Sequence, residues 1–412
     1  MTLPLPEPAP LAASATPAMP ATPATPAAPV ESTVRVSTLE LFFDLVFVFT
    51  VTQLTAAIAH ELNPTGITRV VLMLALIWWM YSGYVWLTNT VPPTTPLRQT
   101  LLMVGMAGFL VVALAVPHAF DGTGEAFGFG YLMLSGVHFA MFLASGGTRQ
   151  AFIRIAPFNM SSTALIVLGG FLDTNAQLAA WAAALVVQII TPYVAGNDGF
   201  RLSVPHFVER HGLVVIVALG ESVIAIGVGA QGLALNATLI ATAASTLTVC
   251  FAIWWAYFGA EDDEHAVVAV LERMEPRARN LRALNIHGYV HYGLLLGMLL
   301  FAAGVKGAMA HPSDHLDTAH AGTLVGGLAL FLASVVVIRR TFGITPNGYR
   351  IGAVLTLLAT IPIGRFGSAL AQIAAIAAIL IAYGTLETRH RRRHPAGPLD
   401  VHTGSVTSVR PG

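Results

Sequence analysis

Long apolar segments alternate with short polar connections through most of this chain. Twelve segments, most of roughly 20 residues, are predicted to be helices long enough to cross a bilayer core of about 30 Å. They fall near 38–60, 67–88, 99–117, 126–146, 158–172, 176–195, 207–229, 237–259, 286–308, 320–338, 349–364 and 366–386. The pattern therefore predicts an all-α fold, a polytopic transmembrane helical bundle of about twelve spans.

The composition agrees with a membrane protein and excludes several classes of soluble protein. Of the 412 residues, 55% are hydrophobic and only 10% are charged, against about 25% charged in an ordinary globular domain. The net charge is zero, so we expect no nucleic-acid partner. A single cysteine, Cys250, excludes an intrachain disulfide framework. The common nucleotide-binding and zinc-hydrolase motifs are absent, and we expect neither a cofactor nor a bound metal.

The two ends of the chain differ from the apolar body. Residues 1–34 are rich in Pro and Ala and are predicted to be a disordered cytoplasmic tail, whereas residues 387–412 form a basic cytoplasmic tail suited to anionic lipid. With twelve spans, all Lys and Arg residues except Arg69, Lys306 and Arg365 fall on one side. The positive-inside rule then places both termini in the cytoplasm, and we expect a multi-pass protein of the cell (inner) membrane.

Several short patterns recur between the two halves of the chain at nearly constant spacing. An acid lies within both the first and the seventh segment, at Asp44 and Glu221. A Trp-Trp pair near the end of the second segment recurs near the end of the eighth, and the sequence FLAS occurs at 142–145 and again at 331–334. These matches predict two parallel six-helix repeats, residues 35–205 and residues 206–386.

The first segment carries two acids, Glu40 and Asp44, which share one helix face because they are four residues apart. The same face holds Val48, Val51 and Thr55. A helix that lines a hydrated path with a valine constriction would show this pattern. The alternative is a packed helix whose acids bond to an Arg, a Tyr or the backbone of a neighbour, since an acid inside a membrane rarely lacks a partner or a task.

The seventh segment places Glu221 on a face of small residues, which predicts that this acid is buried against another helix. Arg210 lies about three turns earlier, too far along the axis to pair with Glu221. His206, Glu209 and Arg210 are predicted to sit together at the cytoplasmic mouth, where we expect a salt-bridged cap.

The chain has 14 histidines, some of them at predicted membrane depth. His138 in the fourth segment is interpreted as a hydrogen-bonded core residue, with a proton relay as the alternative. His287 and His291 are four residues apart, a spacing that suits two metal ligands on one helix face. No carboxylate follows at a useful spacing, so the pattern favours a packed pair of histidines.

Two linked motifs, LELFFDLVFVF at 39–49 and HFVERHGL at 206–213 followed by ALGES at 218–222, resemble the signature of the bacterial low temperature requirement A family. The resemblance extends over about residues 35 to 385 and implies a polytopic membrane protein. Phe43-Asp44 is also similar to the Phe-Ser-Asp motif of a family of lysosomal and bacterial potassium channels, in which the first helix of each six-helix repeat lines the pore. The corresponding positions in the seventh segment read Gly220-Glu221-Ser222.

The leading functional hypothesis is a channel or secondary transporter for a small ion or solute. Asp44 and Glu221 would be paired intramembrane acids that bind a cation or exchange a proton, with Glu40 at the mouth. An intramembrane enzyme acting on a lipid or a quinone-like substrate is a less favoured alternative, and a stress-related membrane scaffold is another. The expected partners are the bilayer and the transported ion or solute, and assembly as a homo-oligomer is compatible with the pattern.

Overall fold

A computed structural model of the protein describes residues 36–144, 148–196 and 199–394. Within these ranges the chain is almost entirely helical and contains no β-strand. The predicted all-α membrane bundle is therefore confirmed. The tail predicted at 1–34 and most of the tail predicted at 387–412 lie outside the described residues.

Eleven long helices dominate the described ranges: α1 (Thr38–His60), α2 (Pro64–Thr90), α3 (Pro96–Ala115), α4 (Gly124–Leu143), α5 (Arg149–Gly169), α6 (Thr174–Val194), α7 (Val204–Gly229), α8 (Ala237–Phe258), α11 (His291–Ala310), α12 (Thr318–Thr341) and α15 (Ala369–Arg393). Each is long and apolar enough to cross a membrane. Four shorter helices complete the set: α9 (Glu261–Glu272), α10 (Pro276–Ala283), α13 (Gly348–Leu358) and α14 (Ile361–Phe366). A π-helical turn, Leu284–Val290, joins α10 to α11.

The predicted eleventh segment, 349–364, is two short helices, α13 and α14, separated by Ala359 and Thr360. The last turn of α13 tightens, because the amide of Thr360 donates to the carbonyl of Leu357 at 2.9 Å. Pro362 follows at the start of α14 and has no N–H to continue the α13 hydrogen-bond ladder. The segment is therefore a broken helix.

Most of the charged stretch between α8 and α11 lies outside the twelve predicted segments, yet it is helical. It forms α9 and α10, followed by the π-helical turn. Helix α9 is amphipathic and buries Ala266, Val267 and Leu271, while its charges keep its mean hydropathy too low to be recognised as a span. The stretch between α8 and α11 thus has regular structure.

Helix α1 packs against α2, α3, α7 and α11, and α7 packs closely against α11. A methyl group added at Gly229 of α7 would lie 2.6 Å from the carbonyl oxygen of Lys306 on α11, so a residue without a side chain is required there. The contacts between α1 and α7 follow the same order along both helices: Asp44 contacts Arg210 and, further towards the C-terminal end of each helix, Thr52 contacts Glu221. These two helices are therefore parallel.

Candidate functional site: charged layers between the first and seventh helices

Glu40 is held in place by the start of α1. The hydroxyl of Ser37 accepts from the amide of Glu40 at 3.3 Å, and the Glu40 carboxylate accepts from the amide of Ser37 at 2.9 Å. This reciprocal capping box fixes the carboxylate over the first turn. From there Glu40 reaches two residues of α7: Arg210 Nη1 lies 2.9 Å and His206 Nε2 3.3 Å from its Oε1 atom.

Asp44, one turn further along α1, shares the same arginine. Its Oδ1 atom accepts from Arg210 Nη2 at 2.5 Å and from the hydroxyl of Tyr81 on α2 at 2.8 Å. Arg210 also donates to the hydroxyl of Thr88 on α2 at 3.3 Å. Asp44 and Arg210 are both only 1% exposed. A single arginine therefore joins two acids of α1 to α2 and α7.

We call Glu40, Asp44, His206 and Arg210 the arginine layer. Two carboxylates face one guanidinium there, and the His206 ring is a further partner of Glu40. Buried charges at this depth are costly unless they are paired and hydrogen-bonded. Of the three residues predicted to form a salt-bridged cap, His206 and Arg210 do pair with an acid. Glu209 does not belong to the cap, because it is exposed. The acid that pairs with His206 and Arg210 is Glu40 of α1.

Glu221 belongs to a separate layer, about 16 Å further along α7 than Arg210. Its Oε2 atom accepts from the hydroxyl of Thr52 on α1 at 2.6 Å, and the ammonium group of Lys306 on α11 is near enough to act on it electrostatically. Glu221 is 5% exposed, in line with its predicted burial. We call Glu221, Thr52 and Lys306 the glutamate layer. Asp44 and Glu221 thus lie on contacting helices but have different partners.

The other residues of the α1 face have mixed environments. Val51 and Thr55 are buried, whereas Val48 is half-buried. The hydroxyl of Thr55 and that of Ser222 on α7 have no hydrogen-bond partner among the described residues. Both hydroxyl groups lie close to the glutamate layer, and each can still form a hydrogen bond.

His138 lies away from both layers. Its Nε2 atom is 3.2 Å from the carbonyl oxygen of Gly83 on α2, and its ring packs against Tyr84, Phe142 and Phe152. This is the environment of a hydrogen-bonded core histidine.

A cluster of three buried histidines was only partly predicted. The rings of His287 and His291 stack with centroids 4.8 Å apart, as expected for a packed pair. His211 joins them at 4.9 Å and 5.5 Å, and the hydroxyl of Tyr257 is 2.8 Å from His291 Nε2. Among the described residues, no group of three His, Cys, Asp or Glu side chains is arranged to hold a metal ion.

A cavity of about 340 Å³ lies on the other side of α2 from the arginine layer. Its walls are mainly apolar, with Trp79 and Phe139 among them, and Gln188 and Asn159 add polar groups. Tyr81 points from α2 to Asp44, while the neighbouring Ser82 and Gly83 line the cavity. One helix therefore connects the cavity with the arginine layer. Sequence patterns gave no indication of this role for α2.

Together, the eleven long apolar helices and the charges buried between them define a multi-pass helical membrane protein. The model of the family described as bacterial low temperature requirement A protein (LtrA) matches residues 35–384, so the chain belongs to the LtrA family. It is also similar to the uncharacterized protein RA0937 of Rhizobium meliloti (strain 1021), with 28% identity over 320 residues, covering 73% of this chain and 76% of that protein. No solved structure matches the chain.

Proposed function

We propose that this LtrA family protein is a secondary transporter for a small ion or solute, and that the interface of α1 and α7 is its coupling site. The observation that carries the proposal is the pair of charged layers buried at two depths of one helix interface. Ionisable side chains inside membrane helices mark ion or proton pathways more often than they serve structure alone. A second layer would be superfluous if the charges only joined the two helices.

The two layers suit different tasks. In the arginine layer, a cation or proton that binds Asp44 competes with Arg210 for the same carboxylate. In the glutamate layer, the direct partner of Glu221 is the neutral hydroxyl of Thr52, so the carboxylate can exchange a proton or cation without first displacing an arginine. Sliding or tilting α1 against α7 would change both sets of bonds at once.

A transporter fits better than an open channel. Asp44, Arg210 and Val51 are each at most 1% exposed, so none of them faces a water-filled path. The cavity beside α2 has the size of a small-ligand site and contacts the helix that carries Tyr81. We propose that a small solute binds in this cavity and that Tyr81 links its occupancy to Asp44.

We further infer that residues 35–205 and 206–386 are two parallel repeats, which the parallel packing of α1 and α7 supports. The excess of Lys and Arg on the side where α1 begins supports a cytoplasmic location for that side. The protein would then reside in the cell membrane with both termini inside.

The test is flux into liposomes that contain the purified protein, under potassium, sodium and proton gradients. Wild type is compared with Asp44→Asn and Glu221→Gln, each first shown to be folded. Glu61→Gln is the matched control, because Glu61 follows α1 and pairs with the partly exposed Arg69 at the surface. We expect flux in the wild type and the control and its loss in both other variants. Equal flux in all four proteins would refute the proposed site.

A membrane scaffold is the second candidate, because every contact of Asp44 and Glu40 described above is an ion pair or hydrogen bond of the kind that holds helices together. A scaffold would show no flux with any gradient. Its Asp44→Asn variant would fail to fold, and its Glu221→Gln variant would be indistinguishable from wild type in every assay.

A further inference from the structure

A second charged cluster lies where α8, α12 and α15 end and where α9 and α13 begin, on the side of the membrane where α1 begins. Arg339 of α12 pairs with Asp263. Arg350 of α13 lies 2.9 Å from Glu387 of α15, and Arg391 of α15 bonds Asp263 at 3.2 Å and Glu387 at 3.5 Å. Three arginines thus face two acids, and the cluster retains a positive charge.

Beside this cluster, a groove of about 1050 Å³ runs between α8, α13 and α15. Its floor and walls are apolar along the two spanning helices and include Phe251, Trp255 and Ile381, all of them exposed. Because α8 and α15 are long apolar helices, this part of the groove opens toward the acyl chains of the bilayer.

The rim of the groove is basic. Arg389 and Arg392 line it and are exposed. Within the part of the chain that the structure describes, neither arginine has an acidic partner. Their guanidinium groups are therefore available to an anion at the level of the lipid headgroups, close to the interfacial Trp254 and Trp255.

We propose that this groove is a binding site for one anionic phospholipid. The phosphate would pair with Arg389 and Arg392, and the acyl chains would lie on Phe251, Trp255 and Ile381. An apolar channel with arginines at its headgroup end matches a molecule that is apolar along its length and anionic at one end, as in other basic pockets between membrane helices. The site shares no residue with the layers between α1 and α7 and does not depend on the proposed transport function.

Tryptophan fluorescence offers a local test. Of the six tryptophans, Trp254 and Trp255 are exposed, whereas Trp78 and Trp181 are buried and Trp79 and Trp86 are partly covered. The full chain is placed in phosphatidylcholine vesicles that contain either brominated phosphatidylglycerol or brominated phosphatidylcholine at equal bromine content. Quenching by the brominated phosphatidylglycerol should exceed quenching by the brominated phosphatidylcholine, and Trp254→Phe with Trp255→Phe should remove that excess.

Two double variants separate a site from general attraction to a basic surface. Arg389→Gln with Arg392→Gln should lower the preference for phosphatidylglycerol about fivefold per arginine. Arg340→Gln with Arg393→Gln removes the same charge at the same end of the bundle, from exposed residues that do not line the groove, and should leave the preference intact. Equal losses in the two variants, an unchanged preference in the first, or no preference in the wild type would overturn the proposal.

Discussion

Asp44 and Glu221 are both buried between α1 and α7 but lie at different levels of that interface, and their surroundings differ. Asp44 lies between an arginine and a tyrosine, with a second acid one turn away. Glu221 has a threonine hydroxyl as its direct partner and a lysine at longer range. The comparison shows that a carboxylate in a membrane helix can be fixed by a permanent opposite charge or held by a neutral donor. In the second arrangement no residue of the described ranges forms a direct ion pair with the carboxylate.

The largest expected effect on stability follows removal of Arg210. Arg210→Met leaves Glu40 and Asp44 buried without their shared cation, and breaking a buried ion pair from one side costs about 3–5 kcal/mol. We expect a large fall in the thermal unfolding midpoint of the purified protein, or loss of the folded protein from the membrane. Unchanged stability would mean that the arginine layer is not held together by this residue.

Adding Asp44→Asn to Arg210→Met should restore part of that loss. The double variant removes one charge of each sign, so only Glu40 remains without its arginine, and His206 is still available to it. Double-mutant coupling of roughly 0.5–3 kcal/mol is the range for residues in one network. Strictly additive effects on the unfolding midpoint would contradict the direct pairing of Asp44 with Arg210.

A smaller effect is expected from Thr52→Val, which removes the hydrogen bond to Glu221. Hydrogen bonds to charged groups contribute about 1.5–3 kcal/mol, so stability should fall measurably but less than after loss of Arg210. Thr55→Val on the same helix is the matched control: its hydroxyl is buried and has no hydrogen-bond partner within the described part of the chain, and replacement by a methyl group should be neutral or slightly stabilising. If both variants behave alike, the bond between Thr52 and Glu221 has no role in the folded protein.

The sequence allowed most of the fold to be predicted, because apolar length determines where a membrane helix lies. Helix α1 begins and ends at the predicted residues 38 and 60. Two features were not predicted. Helices α9 and α10 carry too much charge for hydropathy to identify them, and the break before α14 depends on a local turn. The length of an apolar segment does not predict helices that are rich in charged residues, and it does not predict a break inside a spanning segment.

The candidate site was predictable in type but not in pairing. Helix periodicity placed Glu40 and Asp44 on one face and indicated that an Arg or a Tyr could satisfy them, as Arg210 and Tyr81 do. Periodicity alone does not say which distant helix supplies the partner. The same limit explains why Glu209 was predicted to join His206 and Arg210, whereas their acidic partner is Glu40 of a different helix.

The most direct test of the account combines transport and stability in one variant, Glu221→Gln. The amide oxygen can still accept from Thr52, so the unfolding midpoint should stay close to that of the wild type, while the side chain can no longer ionise. The account predicts a folded protein that has lost the flux measured for the wild type in liposomes. A Glu221→Gln protein that keeps both its stability and its flux would contradict the proposal that the glutamate layer takes part in transport.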